Sequence, residues 1–418
     1  MRKTLFLTAA EAAAELGVTV QTLYAYVSRG LVRSEAGDTG KRSRRYAAAD
    51  IRRLKEQQEM RRDPKKAADG ALDWGVPIRD SALTLIDGGR CWYRGRDVLD
   101  MAAGSTVEQT AAWFWLEDET AAEDLFAESS YGLPTRLEAA SGLLDSVTVM
   151  ERFQAALPLA AADDLQAYDF RPRHVAGTGA RILRMMTGLA IRPRNGQASV
   201  SLPETLRMGW KLDSPAAASL LRAALVLCAD HELNVSSFTA RCVASAGSSP
   251  YAVVGAGLAA LQGIKHGGSS ERVEAMFRET GTPDRAGRVL AERIRRGDSV
   301  PGFGHPLYPE GDPRGRFLLD RVSAALPDAP GTRLAMDLAA GARTMLHEEP
   351  NIDFALCALS AALDLPPGTP LTLFALGRAI GWVGHAIEEY QTDSLIRPRA
   401  RYTGRLPGFL NEGFGAGK

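Results

Sequence analysis

Residues 263–270 read GIKHGGSS, and residues 300–314 read VPGFGHPLYPEGDPR. Each stretch sets one histidine, His266 or His305, among glycines. A glycine neighbour lets backbone and imidazole approach a ligand with no Cβ in the way. The segment between them, ERVEAMFRETGTPDRAGRVLAERIRRGDS, is strongly charged and reads as helix. A lone histidine of this kind is more often a satisfied loop residue. Two of them, close in sequence and followed by Arg314 in a DPR turn, point to a site for a small anionic substrate.

The rest of the chain has the composition of a globular protein. Its 418 residues suffice for a large buried core and for more than one domain. Alanine and leucine are abundant and strand-forming runs are few, which favours helices. No apolar run reaches the roughly 18 residues of a membrane span, so no membrane partner is expected. The start, MRKTLFLTAAEAAAELG, is interrupted by Glu11 and Glu15 and reads as an ordinary mature start. The four cysteines, Cys91, Cys228, Cys242 and Cys357, show no CxxC or CxxxH spacing and lie in apolar contexts. Buried free thiols in a reducing, cytoplasmic setting are expected, with no metal and no bound cofactor. Formal net charge is zero but unevenly placed. The first 68 residues carry 15 Lys and Arg against 8 Asp and Glu, and the remainder 35 against 42. A basic head on an acidic body predicts two domains with different partners.

In the head, LTAAEAAAELG reads as a helix with Thr8 as N-cap and Glu11 three residues on, a capping box ended by Gly17. VTVQTLYAYVSRG reads as a second helix ended by Gly30, with Val20, Leu23 and Val27 inward and Thr19, Gln21, Thr22, Tyr24 and Arg29 outward. A glycine-and-arginine hairpin, GDTGKRSRRY, precedes a third helix, AAADIRRLKEQQE. This order resembles the winged helix-turn-helix of the MerR and excisionase-like families. The resemblance implies a recognition helix near Thr19 to Arg29 in a DNA major groove, with Arg42, Arg44 and Arg45 on phosphates and residues 8–55 as the DNA-facing unit. The long coiled-coil helix that pairs MerR-type subunits is missing, and small helical units of this kind also serve as protein docking modules.

MRRDPKKAADGALDWGVP reads as a linker. Then LTLI and CWY flank Asp87-Gly88, a hairpin signal. The remainder is almost wholly helical. Trp113 and Trp115 read as core, GAGLAALQG reads as close helix packing rather than a dinucleotide loop, and GTGAR fails as a phosphate loop because it lacks a Gly-Lys-Ser/Thr ending. The blocks ADHELNVSSF, GIKHGG, GFGHPLYPEGDPR, EEPNIDFALCALSAAL and RAIGWVGHAIEEYQTDSLIRPR, in this order and after IDGGRCWYRGRDVLDMA, resemble citrate synthase and 2-methylcitrate synthase. The resemblance spans about residues 78–404. It implies an all-α fold with a large helical domain and a small mobile one, roughly 267–365, and a homodimer. The expected organisation is a head over 1–60, a linker over 61–77 and a synthase domain over 78–418.

Carried over position by position, the family's catalytic residues fall on His266, His305 and Asp353. Its substrate-binding set falls on His231, Arg314 and Arg378, with His305 shared, and Arg397 matches the arginine that reaches the partner subunit's site. The implied reaction joins acetyl-CoA, as substrate, to oxaloacetate; propionyl-CoA in place of acetyl-CoA gives 2-methylcitrate. The chemistry needs these residue types. A thioester methyl is a very weak acid, so its proton needs a base, and the enolate oxygen needs a donor. Asp353, two residues after the N-cap candidate Asn351, sits where a helix start favours ionisation. His266 precedes a helix whose N-terminal dipole favours neutral imidazole. Permanently charged guanidinium forks suit the two carboxylates of oxaloacetate. Two further readings compete: Arg378 as a surface ion pair on its helix, and His385 paired locally with Glu388 and Glu389 at i+3 and i+4. Many bacterial members carry HRVY where this chain has HPLY, so a basic side chain for coenzyme A phosphates is absent beside His305. A synthase-like body that senses a metabolite for a DNA-binding head is the reading from a different class.

Overall fold

The computed structural model describes residues 6–36, 44–48, 50–51, 54–55, 79–127, 134–191, 201–392, 394–400 and 402–404. The linker 61–77, Arg42 and most of the third head helix lie outside the described residues.

The head folds as its caps dictate. Thr8 accepts from the Glu11 amide at 3.3 Å while the Glu11 carboxylate accepts from the Thr8 amide at 2.8 Å, starting helix Ala9–Leu16. Gly17, at φ 63°, ends it. Thr19 caps helix Val20–Ser28 by accepting from the Thr22 amide at 3.2 Å. Strand Arg44–Ala47 pairs antiparallel with Phe6–Leu7 on one side and Ser34–Ala36 on the other. Leu16, Leu23, Val32, Tyr46 and Ile51 form the head's own apolar cluster. Val20, expected inward, is exposed; Leu23 is the residue of that helix that is buried, and Val27 is half-buried. Arg33 clasps Asp50 through Nε at 3.0 Å and its backbone amide at 2.8 Å, holding the third helix against the sheet.

The body is helical, as expected, with one small sheet. Strands Thr84–Asp87 and Arg90–Tyr93 are joined by a two-residue turn, Gly88 and Gly89, both at positive φ (55° and 75°). Such a turn matches the twist of the strands it connects. A third strand, Arg96–Asp97, adds to the edge and was not foreseen.

Helix Thr369–Tyr390 is buried along almost its whole length. Around it pack Val107–Leu116, Pro172–Ala190, Ala217–Leu227, Val235–Ser245 and Pro250–Leu261. Glycines set how closely. A Cβ on Gly381 would lie 2.3 Å from the Ala229 carbonyl oxygen, and one on Gly377 2.6 Å from that of Leu225. One on Gly257, in GAGLAALQG, would strike Trp382 at 2.5 Å, and one on Gly179, in GTGAR, Val383 at 2.7 Å. Close helix packing is thus what both glycine runs serve. Trp115 is buried, its indole N–H donating to the Ile380 carbonyl at 2.9 Å. Helices Gly268–Thr280, Ala286–Arg296, Pro313–Ala325, Pro330–Leu346 and Ile352–Ala362 pack largely on one another.

Cys91, Cys228 and Cys357 are buried free thiols; Cys242, expected to be buried, is half-exposed. No described helix is long and apolar enough to cross a membrane.

Alanine is a better helix former than glycine by roughly 1 kcal/mol, so Gly381→Ala would stabilise an open helix. Here it overpacks against backbone, and a net loss of about 1–3 kcal/mol is expected in the denaturant midpoint.

Candidate active site

His266 lies in the turn between helices Pro250–Leu261 and Gly268–Thr280. The turn needs its glycine: a Cβ on Gly267 would lie 2.3 Å from the Leu261 carbonyl oxygen. The His266 Nε2 is 3.0 Å from Ser236 Oγ, and its ring stands edge-on to Phe374. Ser236 also accepts the Trp382 indole proton at 3.2 Å. The Ser236 hydroxyl gives its own proton to Asn234 Oδ1 at 2.7 Å, which leaves its oxygen to accept from the Nε2 proton of neutral His266.

His305 sits in a loop bent by Gly302 (φ 92°) and Gly304 (φ 68°). The Leu307 amide donates to its Nδ1 at 3.1 Å. Nδ1 therefore carries a lone pair, and the proton of the neutral ring is on Nε2. The rings of His305 and His231 are 5.1 Å apart, and His231 Nε2 is 3.0 Å from the Tyr308 hydroxyl.

Arg314 opens helix Pro313–Ala325 and is clasped by the helix N-cap, Asp312, through Nε at 3.0 Å and a terminal nitrogen at 2.9 Å. Asp312 also accepts from the Ile352 amide at 3.2 Å. That bond ties Arg314 to the start of the helix that carries Asp353. Asn351 caps this helix, accepting from the Phe354 amide at 3.3 Å. Asp353 accepts a short hydrogen bond from Ser270, four residues after His266. Arg378, expected on one reading to be a surface ion-pair partner, is buried; its Nε donates to the Cys228 carbonyl at 2.9 Å and its guanidinium lies over Phe374. The geometry thus places His231 beside His305 and joins His266 to Asp353 through one helical turn. Arg397 is exposed on residues 394–400 and makes no hydrogen bond or ion pair with this cluster among the described residues.

The electrostatics follow from burial and the two arginines. Burial, reinforced by Arg378, lowers His266 to about 4. Burial and Arg314 lower His305 to about 4. His231, more deeply buried, is pushed well below its ordinary range by burial, then by Arg314 and His305. All three are neutral imidazoles at neutral pH. Desolvation is the leading cause of a neutral His266. Burial raises Asp353, and the bonds from Ser270 and Ser269 with the field of Arg314 only partly offset it. Its helix-start position does not make it a weak base. Arg314 is held charged because Asp312 more than offsets its burial.

Residues 71–399 match the family model "Citrate synthase, C-terminal domain", and residues 7–63 match "MerR HTH family regulatory protein". The chain is 31% identical over 360 residues to the citrate synthase of Haloferax volcanii, covering 79% of this chain and 94% of that one. It is 28% identical over 365 residues to a 2-methylcitrate synthase of Mycobacterium tuberculosis, covering 80% and 91%. Among solved structures, the citrate synthase of Thermotoga maritima superposes with a TM-score of 0.65 at 28% identity, covering 79% of this chain and 95% of that one. That of Thermoplasma acidophilum, in a ternary complex with carboxymethyl coenzyme A and oxaloacetate, gives 0.67 at 25%, covering 81% and 96%. The chain belongs to the citrate synthase family. It is an acyl-transferring enzyme of the citrate synthase kind, with a MerR-type segment ahead of it.

Sequence reasoning missed the residues that hold those of the citrate synthase motifs in place. Ser236, Ser270, Asp312 and Tyr308 all lie inside the quoted blocks, yet only the folded chain shows what each one grips. His385 was expected to pair with Glu388 and Glu389. It is instead fully buried, 3.1 Å from Asp230 and 3.3 Å from Arg241. The two glutamates pair with Arg241.

A histidine with a lowered native pKa binds fewer protons folded than unfolded. Its contribution to stability is complete above the unfolded value of about 6.5 and is lost as pH falls towards the native value. For His266 and His305 the window is from about 6.5 down to about 4. Between pH 7.5 and 5 each should cost on the order of 1 kcal/mol in chemical denaturation, and a His266→Asn, His305→Asn variant should show a flatter profile.

Proposed function

We propose that this citrate synthase family member condenses acetyl-CoA with oxaloacetate and water to citrate and coenzyme A, using Asp353, His266 and His305. The observation that carries the reading is the set of charge states. The buried Asp353 carboxylate, its basicity raised by burial, is tied through Ser270 to the turn that carries neutral His266 and lies in the field of Arg314, and His305 is neutral as well. Asp353 takes a proton from the thioester methyl, while His266 donates to the thioester oxygen and so supports the enol. The Nε2 proton of His305 polarises the ketone of oxaloacetate, and the enol carbon attacks it. Arg314, Arg378 and His231 hold the keto-dicarboxylate. Water then cleaves the citryl thioester and releases coenzyme A. The reaction draws on no metal and no bound cofactor.

Helices between about 267 and 365 act as the small domain that closes over substrates, and residues 78–418 as the synthase domain. Arg397, exposed and unbonded to its own chain's cluster among the described residues, serves the site of a second subunit in a cytoplasmic homodimer. The mycobacterial relative supports propionyl-CoA as an alternative thioester. The MerR-type match and the exposed Tyr24, Arg29 and Arg44 support DNA as a second partner for the head.

Thiol release with both substrates tests the main reading. Asp353→Ala and His266→Ala are each expected to lower turnover by about 10²–10⁴-fold, and wild-type turnover no higher than theirs would refute it. Running acetyl-CoA and propionyl-CoA side by side decides the acyl chain. A mobility shift with promoter-pool DNA at low and moderate salt is expected to show retardation that weakens with salt and with Arg44→Ala; none at either salt rules DNA out.

A further inference from the structure

The condensation chemistry leaves one buried histidine without a task. His385 lies on helix Thr369–Tyr390, two turns after Arg378, with Gly381 between them. Its Nδ1 is 3.3 Å from an Arg241 terminal nitrogen and its Nε2 is 3.1 Å from Asp230 Oδ1. A guanidinium can only donate, so Nδ1 must accept and the ring proton is on Nε2, aimed at Asp230. Arg241 is itself fixed, paired with Glu388 at 2.6 Å and Glu389 at 2.9 Å. The bonds therefore run in one direction, from Arg241 through the imidazole to the Asp230 carboxylate.

Asp230 is the residue before His231, and every part of it is held. Its carboxylate also accepts from Thr84 Oγ1 at 2.6 Å and from Ser237 Oγ at 3.3 Å. Its amide donates to the Tyr93 hydroxyl at 3.1 Å, and its carbonyl accepts from that hydroxyl at 3.0 Å. The carboxylate seats against Gly381, where a Cβ would come within 2.7 Å of Oδ1. It lies on the stretch of helix between Arg378 and His385. Among the described residues no carboxylate reaches ion-pair distance of Arg378, and Asp230 is the foremost charge that supports its ionised form.

We propose that His385 is a positioning residue for the keto-dicarboxylate: its Nε2–H bond fixes Asp230, and Asp230 sets the placement of His231 and of the Arg378 guanidinium. The inference rests on the proposed oxaloacetate site and adds a residue that never touches the substrate. A histidine that only fills core would be indifferent to which of its two nitrogens a substitute reproduces. Asparagine places its amide where Nδ1 was and does not reach Asp230; glutamine extends to Nε2, can donate to Asp230 and can still accept from Arg241.

Steady-state kinetics separate the two. His385→Asn is expected to raise KM for oxaloacetate at least about 10-fold with kcat and KM for acetyl-CoA within about 3-fold. His385→Gln is expected to stay within about 3-fold of wild type throughout. Equal behaviour of the two variants, or an unchanged KM in a folded His385→Asn, overturns the proposal. Should His385→Asn fail to fold, Thr84→Val removes the other close donor from Asp230 at a strand edge. It is expected to raise the same KM by about 3- to 10-fold, and no change overturns the proposal. Wild-type protein that shows no oxaloacetate binding by calorimetry overturns the proposed function, and this inference with it.

Discussion

Arg378 carries a permanent charge in the interior of the body and has no carboxylate at contact distance among the described residues. Taking such a charge out of water costs several kcal/mol unless the surroundings compensate. The compensation here is distributed. One nitrogen donates to the Cys228 carbonyl, the guanidinium face rests on Phe374, and Asp230 supplies an opposite charge from further off. The contact with Phe374 lies within helix Thr369–Tyr390; the other two need that helix pressed onto the 225–230 segment, and Gly377 and Gly381 are what allow the approach. The site's architecture follows from seating this one cation.

Arg314 solves the same problem differently. Asp312 grips it twice and also caps its helix, so its charge is met before any ligand arrives. The same carboxylate accepts from Ile352, so Arg314 and Asp353 sit on one rigid piece. The contrast divides the labour between the two cations: Arg314 is an anchor whose place is preset, and Arg378 is the one whose burial an anionic ligand would relieve. Burial keeps the three histidines neutral and the arginines reinforce it, because protonating any of them would put another cation into a desolvated site. A neutral imidazole can still donate a hydrogen bond without introducing a charge that competes for the carboxylates.

Much of this was legible in the sequence wherever the cause was local. The Thr8–Glu11 capping box and the Asn351 cap each rest on a few adjacent residues and stand where the residues put them, whereas the hairpin expected to turn at Asp87-Gly88 turns one residue later, at Gly88-Gly89, with Asp87 paired to Arg90. His266, His305, Asp353, Arg314 and Arg378 were legible as members of specific motifs. The interactions that crossed between distant segments were not legible. Helical spacing alone offered Glu388 and Glu389 to His385, but spacing does not reveal that Arg241, from another helix, takes both glutamates, or that Asp230 approaches from the far side. Asp353 shows the same limit. Its place in a first helical turn argues for easy ionisation, yet the walls that close around it come from residues far apart in sequence and act in the opposite direction.

The head and body present opposite solutions to holding positive charge. Arg29 and Arg44 stand exposed on the head, where solvent and salt weaken any attraction they exert within about a Debye length. Arg314 and Arg378 are almost wholly withdrawn from solvent, and their fields act at full strength on whatever enters between them. Exposed cations suit a long, repeating anion that is bound by many weak contacts and exchanged readily. Buried ones suit a small anion that must be oriented by a few strong contacts. A chain with no net charge overall therefore places its cations in two settings that differ in burial, which is why the charge count along the sequence exposed the head at once and gave no hint of Arg314 and Arg378 in the body.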